Sequence, residues 1–214
     1  VAELKDHLFI DEGELVAATL ALGAAATGGP LAPAELALAK KAARRKIKQT
    51  TIDDIKNLIR AGEDPLGQMF SVLRSSEVRR ENGATYTPAP IVQTMVDWAA
   101  ATRNPCRVID PGVGSARFLL RAGMAFPKAD LIGIDVDPLA TLMSRANLAA
   151  AELGDRARVI LGDYRQFSER VDGTTLYIGN PPYVRHHQIN PSWKEWLADE
   201  AGSIGLSASK LAGL

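Results

Sequence analysis

Through the first eighty positions apolar residues recur at the three- and four-residue intervals of a buried helical face, and turn residues interrupt them. Asp11 followed by Glu14, and Thr51 followed by Asp54, read as helix starts, because a side-chain oxygen placed before the first turn accepts from its unpaired N–H groups. Gly28-Gly29-Pro30 closes the first helix, Pro33 opens the second, Gly62 stops the third and Asp64-Pro65 starts the fourth. With no internal repeat and no alternating β-branched run, residues 1–80 are expected to form a helical region packed on, or preceding, something else.

From Thr87 the pattern changes. Thr87-Pro88 is expected to cap a helix presenting Ile91, Met95 and Trp98, after which Cys106 to Asp110 reads as a strand ending in an acid. A helix carrying Phe118, Leu119 and Leu120 follows. Leu131 to Asp135 is a second strand, and Asp137-Pro138 starts a helix running to Leu153. A third strand lies within Arg158 to Asp163, and a fourth spans Thr174 to Ile178. Strands alternating with helices predict an α/β fold with a parallel, Rossmann-like sheet carrying helices on both faces. Right-handed crossovers then bring Asp110, Asp135, Asp163 and Asn180 to one edge, where ligands bind in such sheets.

Composition narrows the class. The 214 residues carry 25 Lys and Arg against 25 Asp and Glu, with 46% hydrophobic residues, which excludes a disordered tail and a wholly basic nucleic-acid coat. Any nucleic-acid contact must therefore be local. One cysteine, Cys106, excludes an internal disulfide framework and a cysteine-rich zinc site and suits a reducing cytoplasm. No segment has the length of a membrane span, and the Ala-rich stretch from Leu15 to Ala26 follows acids where a signal peptide has basic residues. A cytoplasmic protein without a membrane partner is expected.

The candidate chemistry lies at the predicted edge. In Asp110-Pro111-Gly112-Val113-Gly114-Ser115 the glycines permit a tight turn and a close approach of backbone to ligand. Ala116 stands where a dinucleotide fingerprint has its third glycine, which argues against NAD. Asp135, twenty-five residues after Asp110, has the spacing of an acid that accepts from ribose hydroxyls, and Asp163 can accept from an exocyclic amine. Taken singly, each acid also reads as a helix N-cap. The strongest signal is Asn180-Pro181-Pro182-Tyr183. Its prolines remove two N–H donors, leaving the Asn180 amide oxygen and the Pro181 carbonyl as acceptors for one planar NH2 group, with Tyr183 to stack on the ring that bears it.

These motifs together resemble the amino-methylating DNA methyltransferases that make N6-methyladenine, especially the type IIG restriction-modification group. Thr85 to Val92 is similar to the motif that precedes the first strand in that family. Asp110 to Leu119, Asp135, Asp163 and Asn180 to Tyr183 match the successive cofactor and catalytic motifs, so the resemblance covers residues from about 70 to 214. The sequence departs from the pattern at Gly112, usually Ala in the family, and at Ala116, usually Gly. What the resemblance implies is a partial class I fold and S-adenosylmethionine as methyl donor. Tyr86, Thr87, Gly112 and Gly114 would surround its methionine part, with Asp110 near the amino group, Asp135 at the ribose and Asp163 at the adenine N6. Asn180, Pro181, Pro182 and Tyr183 would hold an adenine flipped out of double-stranded DNA.

Other residues carry weaker signals. His186 and His187 are neighbours on a chain with no further set at ligand spacing, so no metal is expected. Arg185 can meet the flipped nucleotide or its phosphates. Lys41, Arg44 and Arg45, within a basic run from Lys40 to Lys48 expected to be helical, read either as a solvated face or as a phosphate contact. Cys106 and Trp98 are expected in the core. Residues 81–214 are expected to be the amino-terminal half of a catalytic core whose remaining strands and target-recognition domain lie elsewhere in the same or a partner chain. Activity of these residues alone is left open. Two alternatives share the motifs: a release-factor type glutamine methyltransferase, against which the Thr87-Pro88 element argues, and a non-catalytic S-adenosylmethionine- or DNA-binding module.

Overall fold

The computed structural model describes residues 9–74, 87–181 and 191–207. Four helices come first: α1 (Glu12–Ala21), α2 (Pro33–Ala42), α3 (Gln49–Arg60) and α4 (Pro65–Leu73). Asp11 caps α1 by accepting from Glu14 N, and Asp64 caps α4 by accepting from Gly67 N with Pro65 at the first helical position. The first helix is shorter than expected. Gly23, at φ +102°, ends it, and a separate 3-10 turn covers Ala24–Ala26. Thr51 is no cap either. Helix α3 already starts at Gln49, in the frame that buries Ile52, Ile55 and Ile59 along one face.

The second part contains α5 (Ala89–Thr102), β1 (Arg107–Pro111), α6 (Arg117–Ala125), β2 (Asp130–Asp135), α7 (Pro138–Ala150), β3 (Ala157–Leu161), β4 (Thr175–Tyr177) and α8 (Pro191–Ser203). The strands form one parallel sheet in the order β3-β2-β1-β4, with Asp110 beside Gly133, Asp135 beside Leu161 and Ile109 beside Tyr177. Residues alternate across the sheet. Val108, Leu131 and Val159 face α5 and α6 in one core, and Ile109, Ile132 and Ile134 lie on the other face with Ile160 and Phe167. Helices were expected on both faces. Among the described residues the large helical layer covers only one, and α8 buries no residue.

Helix α7 joins the two parts. Leu139, Leu142, Met143 and Ala146 pack with α1, α3 and α4 in a core that also takes in Phe9 and Phe70. The Gly28-Gly29-Pro30 segment does more than end a helix. Val159 N of edge strand β3 donates to Gly28 O at 3.0 Å, and a Cβ on Gly28 would meet Val159 at 3.0 to 3.2 Å, so the segment covers that edge by close approach. Beneath it the fully buried Arg145 of α7 donates to Glu35 of α2 at 2.8 Å, to the Thr27 and Gly29 carbonyls at 2.6 Å and to Val159 O at 2.8 Å. Every direction of the guanidinium is satisfied, which is what a buried charge requires.

Helix α5 is rotated relative to the expected face. It buries Val92, Val96 and Ala99 and leaves Ile91, Met95 and Trp98 exposed, Trp98 at 66%. Small residues allow the close packing against α6. Trp98 is therefore not a core residue, and Cys106 is only half-buried, its thiol near the Asp172 and Thr174 carbonyls.

Candidate active site

The carboxyl ends of the strands place Asp163, Asp135, Asp110 and Asn180 in that spatial order along one edge. Asp110, one residue before the end of β1, is buried, and among the described residues its Oδ1 has no hydrogen-bond partner. Burial, and then the charge of Asp135 nearby, pushes its carboxyl well above the ordinary carboxylate range. A buried carboxyl oxygen without a partner among the described residues, at such an edge, suits a cationic group.

The glycine loop after β1 is held from several sides. Gly112 and Val113 donate to Ile134 O at 2.8 and 3.0 Å, and Gly114 N donates to Asp135 Oδ2 at 2.9 Å. The Gly114 carbonyl accepts from Ser144 Oγ at 2.7 Å and that of Ser115 from Asn147 Nδ2 at 2.7 Å. Positive φ at Gly112 (+107°) and Gly114 (+54°) is why glycine serves there. Ala116, buried at φ +69°, occupies the same left-handed region with a Cβ, a conformation that favours glycine.

Asp135 Oδ1 accepts from Asp137 N at 3.0 Å while Oδ2 takes Gly114 N, so each oxygen keeps a lone pair for a further donor. Burial raises the pKa of this acid despite those two N–H groups. Asp163 lies past the end of β3 and caps the 3-10 turn Tyr164–Gln166. Both its oxygens are shared with Arg165, whose guanidinium lowers its pKa and also covers the Trp193 ring at 3.3 Å. Each acid is followed by a large exposed side chain, Val136 at 66% and Tyr164 at 39%. Neither was singled out from the sequence, although position directly after the acid was a usable signal.

Asn180 is tied to Asp110 through Gly179. Ile178 N donates to Ile109 O at 3.0 Å, prolonging the β4 pairing, and the next residue passes directly over the Asp110 carboxylate. A Cβ on Gly179 would lie inside contact distance of Asp110 Oδ1 and 3.3 Å from Pro111 Cδ. Glycine thus permits the approach that brings Asn180 and Pro181 beside the first strand's acid. Thr87, half-buried ahead of α5, is fixed by Arg117, which donates to its carbonyl at 2.8 Å. Tyr86, Pro182, Tyr183, Arg185, His186 and His187 lie outside the described residues. No His/Cys/Asp/Glu cluster fit for a metal occurs among the described residues.

The basic run is not one helical stripe. Helix α2 ends at Ala42, so Lys41 is in its last turn while Arg44 and Arg45 lie in the connection to α3, all exposed. Arg45 pairs with Asp11 at 2.7 Å. No helix among the described residues is long and apolar enough to cross a membrane.

Comparison with known proteins bears on the same edge. The model of the N-6 DNA Methylase family matches residues 62–201. The type II methyltransferase M.XamI of Xanthomonas campestris pv. amaranthicola is 46% identical over 205 residues, covering 95% of this chain and 38% of that protein. A tRNA1(Val) (adenine(37)-N6)-methyltransferase of Porphyromonas gingivalis is 32% identical over 116 residues, 51% of this chain and 46% of that protein. The release factor glutamine methyltransferase of Caulobacter vibrioides is 32% identical over 136 residues, 59% of this chain and 47% of that protein. The chain spans less than half the length of each of these relatives.

Proposed function

Since the chain belongs to the N-6 DNA methylase family, we propose that it carries the cofactor-binding and catalytic edge of an S-adenosylmethionine-dependent, site-specific DNA adenine-N6 methyltransferase of restriction-modification type, acting in the cytoplasm. The observation that carries this reading is the approach of Gly179 to Asp110, which sets Asn180 and Pro181 next to a buried acid whose Oδ1 has no hydrogen-bond partner among the described residues. S-adenosylmethionine, when bound, supplies an electrophilic methyl group on a sulfonium. The residues present fit such a cation-bearing nucleoside. Asp110 offers an unused oxygen to its amino group, the left-handed glycines leave backbone accessible, and Asp135 retains a lone pair on each oxygen for ribose hydroxyls. Val136 and Tyr164 would flank the adenine ring, and Asp163, shared with Arg165, would accept from its N6.

The acceptor adenine must leave the duplex to be reached. Its amino nitrogen is conjugated with the ring and a poor nucleophile. Asn180 Oδ1 and the Pro181 carbonyl would each hold one amino proton, favouring a tetrahedral nitrogen whose lone pair is localised for attack, with Pro182 shaping the turn and Tyr183 stacking on the base. Orientation and preorganised dipoles therefore supply most of the rate enhancement, and no metal is called for. Lys41, Arg44, Arg185 and, less freely, the Asp11-paired Arg45 would meet phosphates. Further strands and a target-recognition domain, in the same or a partner chain, would set sequence specificity.

The 46% identity to a type II methyltransferase along nearly the whole chain favours DNA over a release factor as acceptor. The test is transfer of labelled methyl from S-adenosylmethionine to unmethylated plasmid DNA, with a release factor as the competing acceptor and Asn180→Ala as control. Label in DNA that disappears in Asn180→Ala is expected. Transfer unchanged by that substitution would reject the catalytic assignment, and label in the release factor alone would select the glutamine reading.

A further inference from the structure

Asp64 offers more hydrogen bonding than a helix cap requires. Capping α4 takes one oxygen, Oδ1, which accepts from Gly67 N at 2.9 Å. The other, Oδ2, accepts from Ser115 Oγ and from Arg117 Nε, both at 2.6 Å. Asp64 is buried, at 7% exposure, and Gly67 leaves its carboxylate room, because a Cβ there would collide with it. Arg117 in turn donates to Thr87 O at 2.8 Å. One buried acid therefore gathers three segments distant in sequence: the start of α4, the loop carrying Gly112 and Gly114, and the Thr87 segment ahead of α5.

We infer that Asp64 is a positioning residue that sets the register of the Thr87 segment against the glycine loop, and so shapes the part of the cofactor site that receives the amino-acid end of the ligand. The inference rests on the cofactor reading proposed above. Helix α7 fixes the loop independently, through Ser144 and Asn147. Thr87 is joined to that loop through Arg117 and Asp64. The nucleoside end belongs to Asp135 and Asp163, neither of which bonds to Asp64. Loss of the Asp64 link should therefore act on one half of the ligand.

The experiment uses two probes, S-adenosylhomocysteine and 5′-methylthioadenosine, which share the nucleoside and differ in the amino-acid portion. Both are titrated calorimetrically into wild type, Asp64→Asn and Arg117→Gln. Asp64→Asn keeps an oxygen for the cap and loses the second acceptor; Arg117→Gln leaves Asp64 and Ser115 joined and frees Thr87. Each variant should bind S-adenosylhomocysteine about tenfold more weakly while 5′-methylthioadenosine changes less than about twofold. Unaltered affinity for S-adenosylhomocysteine in both variants overturns the inference, and so does an equal loss for both probes, which is what general loosening produces. Should Asp64→Asn fail to fold, Arg117→Gln decides. A wild-type chain that binds neither probe removes the cofactor reading itself, a failure visible in the unsubstituted protein.

Discussion

Gly179→Ala tests the contact on which the site is built. Gly179 is not in the left-handed region, so alanine brings no backbone strain and the effect isolates the side chain's volume. The added methyl would lie closer to Asp110 Oδ1 than a Cβ approaches any non-bonded atom, and 3.3 Å from Asp110 Cγ and Pro111 Cδ. Relieving that overlap means moving the chain by about 1 Å, since unstrained heavy atoms sit roughly 3.5 Å apart. Asp110 is buried, which leaves its carboxylate little room to turn aside, so the carboxyl end of β4 is expected to lift, carrying Asn180 with it. Overpacking of this kind costs about 1–3 kcal/mol, and a 1 Å misplacement of a reacting group costs about a hundredfold in rate. The matched control is Gly162→Ala, where β3 leads to Asp163. A Cβ there meets only Ile160 Cγ2, at 3.9 Å, and stability should hold within about 0.5 kcal/mol. Urea unfolding measures the first quantity, and methyl transfer to DNA the second. Equal stability and equal transfer for the two variants would refute the claim that Gly179 lets the catalytic turn rest on Asp110.

The buried acid gives a pH prediction with a definite sign. Because the folded chain holds the Asp110 proton more tightly than the unfolded chain, this group's contribution to stability is complete below the ordinary carboxylate pKa of about 4 and is lost as pH rises through the raised value. Asp110→Asn should flatten that decline in thermal melts taken across pH, and an unchanged slope would contradict the assignment. Glu35→Gln, which strands the enclosed Arg145, should cost about 3–5 kcal/mol in urea unfolding; a loss under about 1 kcal/mol would mean the helical region and the sheet are not fastened there. Ala116→Gly relieves a left-handed residue, worth about 1–2 kcal/mol, against about 0.5–1 kcal/mol for the added flexibility of the unfolded chain and about 0.8 kcal/mol for the lost buried methyl, so the melting temperature should stay close to that of wild type, and a loss above about 2 kcal/mol would contradict the strain at this position.

What local chemistry dictates was legible along the chain. Asp11, Asp64 and Asp137 each cap the helix that their sequence neighbours announce, because a cap depends on residues two or three positions away. The four strands, and the acids at the ends of three of them, were also readable, since short apolar runs between helix signals leave few other solutions. Long-range pairing was not. Glu35 and Arg145 are separated by more than a hundred positions, and nothing near either announces the other. Gly28-Gly29 reads locally as a helix stop, while its role against Val159 depends on which strand becomes the edge. On α5 the sequence pointed to Ile91, Met95 and Trp98, whereas Val92, Val96 and Ala99 are the residues buried.

The same division runs through the candidate site. Side chains that would meet a ligand project from strand ends, where position along the chain determines placement, so the order of residues is enough to name Asp110, Asp135 and Asn180. The side chains that hold the loop backbone come from elsewhere: Asp64 from the cap of α4, Ser144 and Asn147 from α7, Arg117 from α6. They bond to the loop's Ser115 hydroxyl, to its carbonyls and to one another, contacts that no motif spacing records. Helical residues 49–73 therefore do more than precede the sheet. Through Asp64 they anchor the turn on which a cofactor would rest, and the family match beginning at residue 62, two positions before that acid, fits this coupling. Across the expected boundary near residue 80, the buried hydrogen bonds of Asp64 with Ser115 and Arg117 join the cap of α4 to the loop after β1.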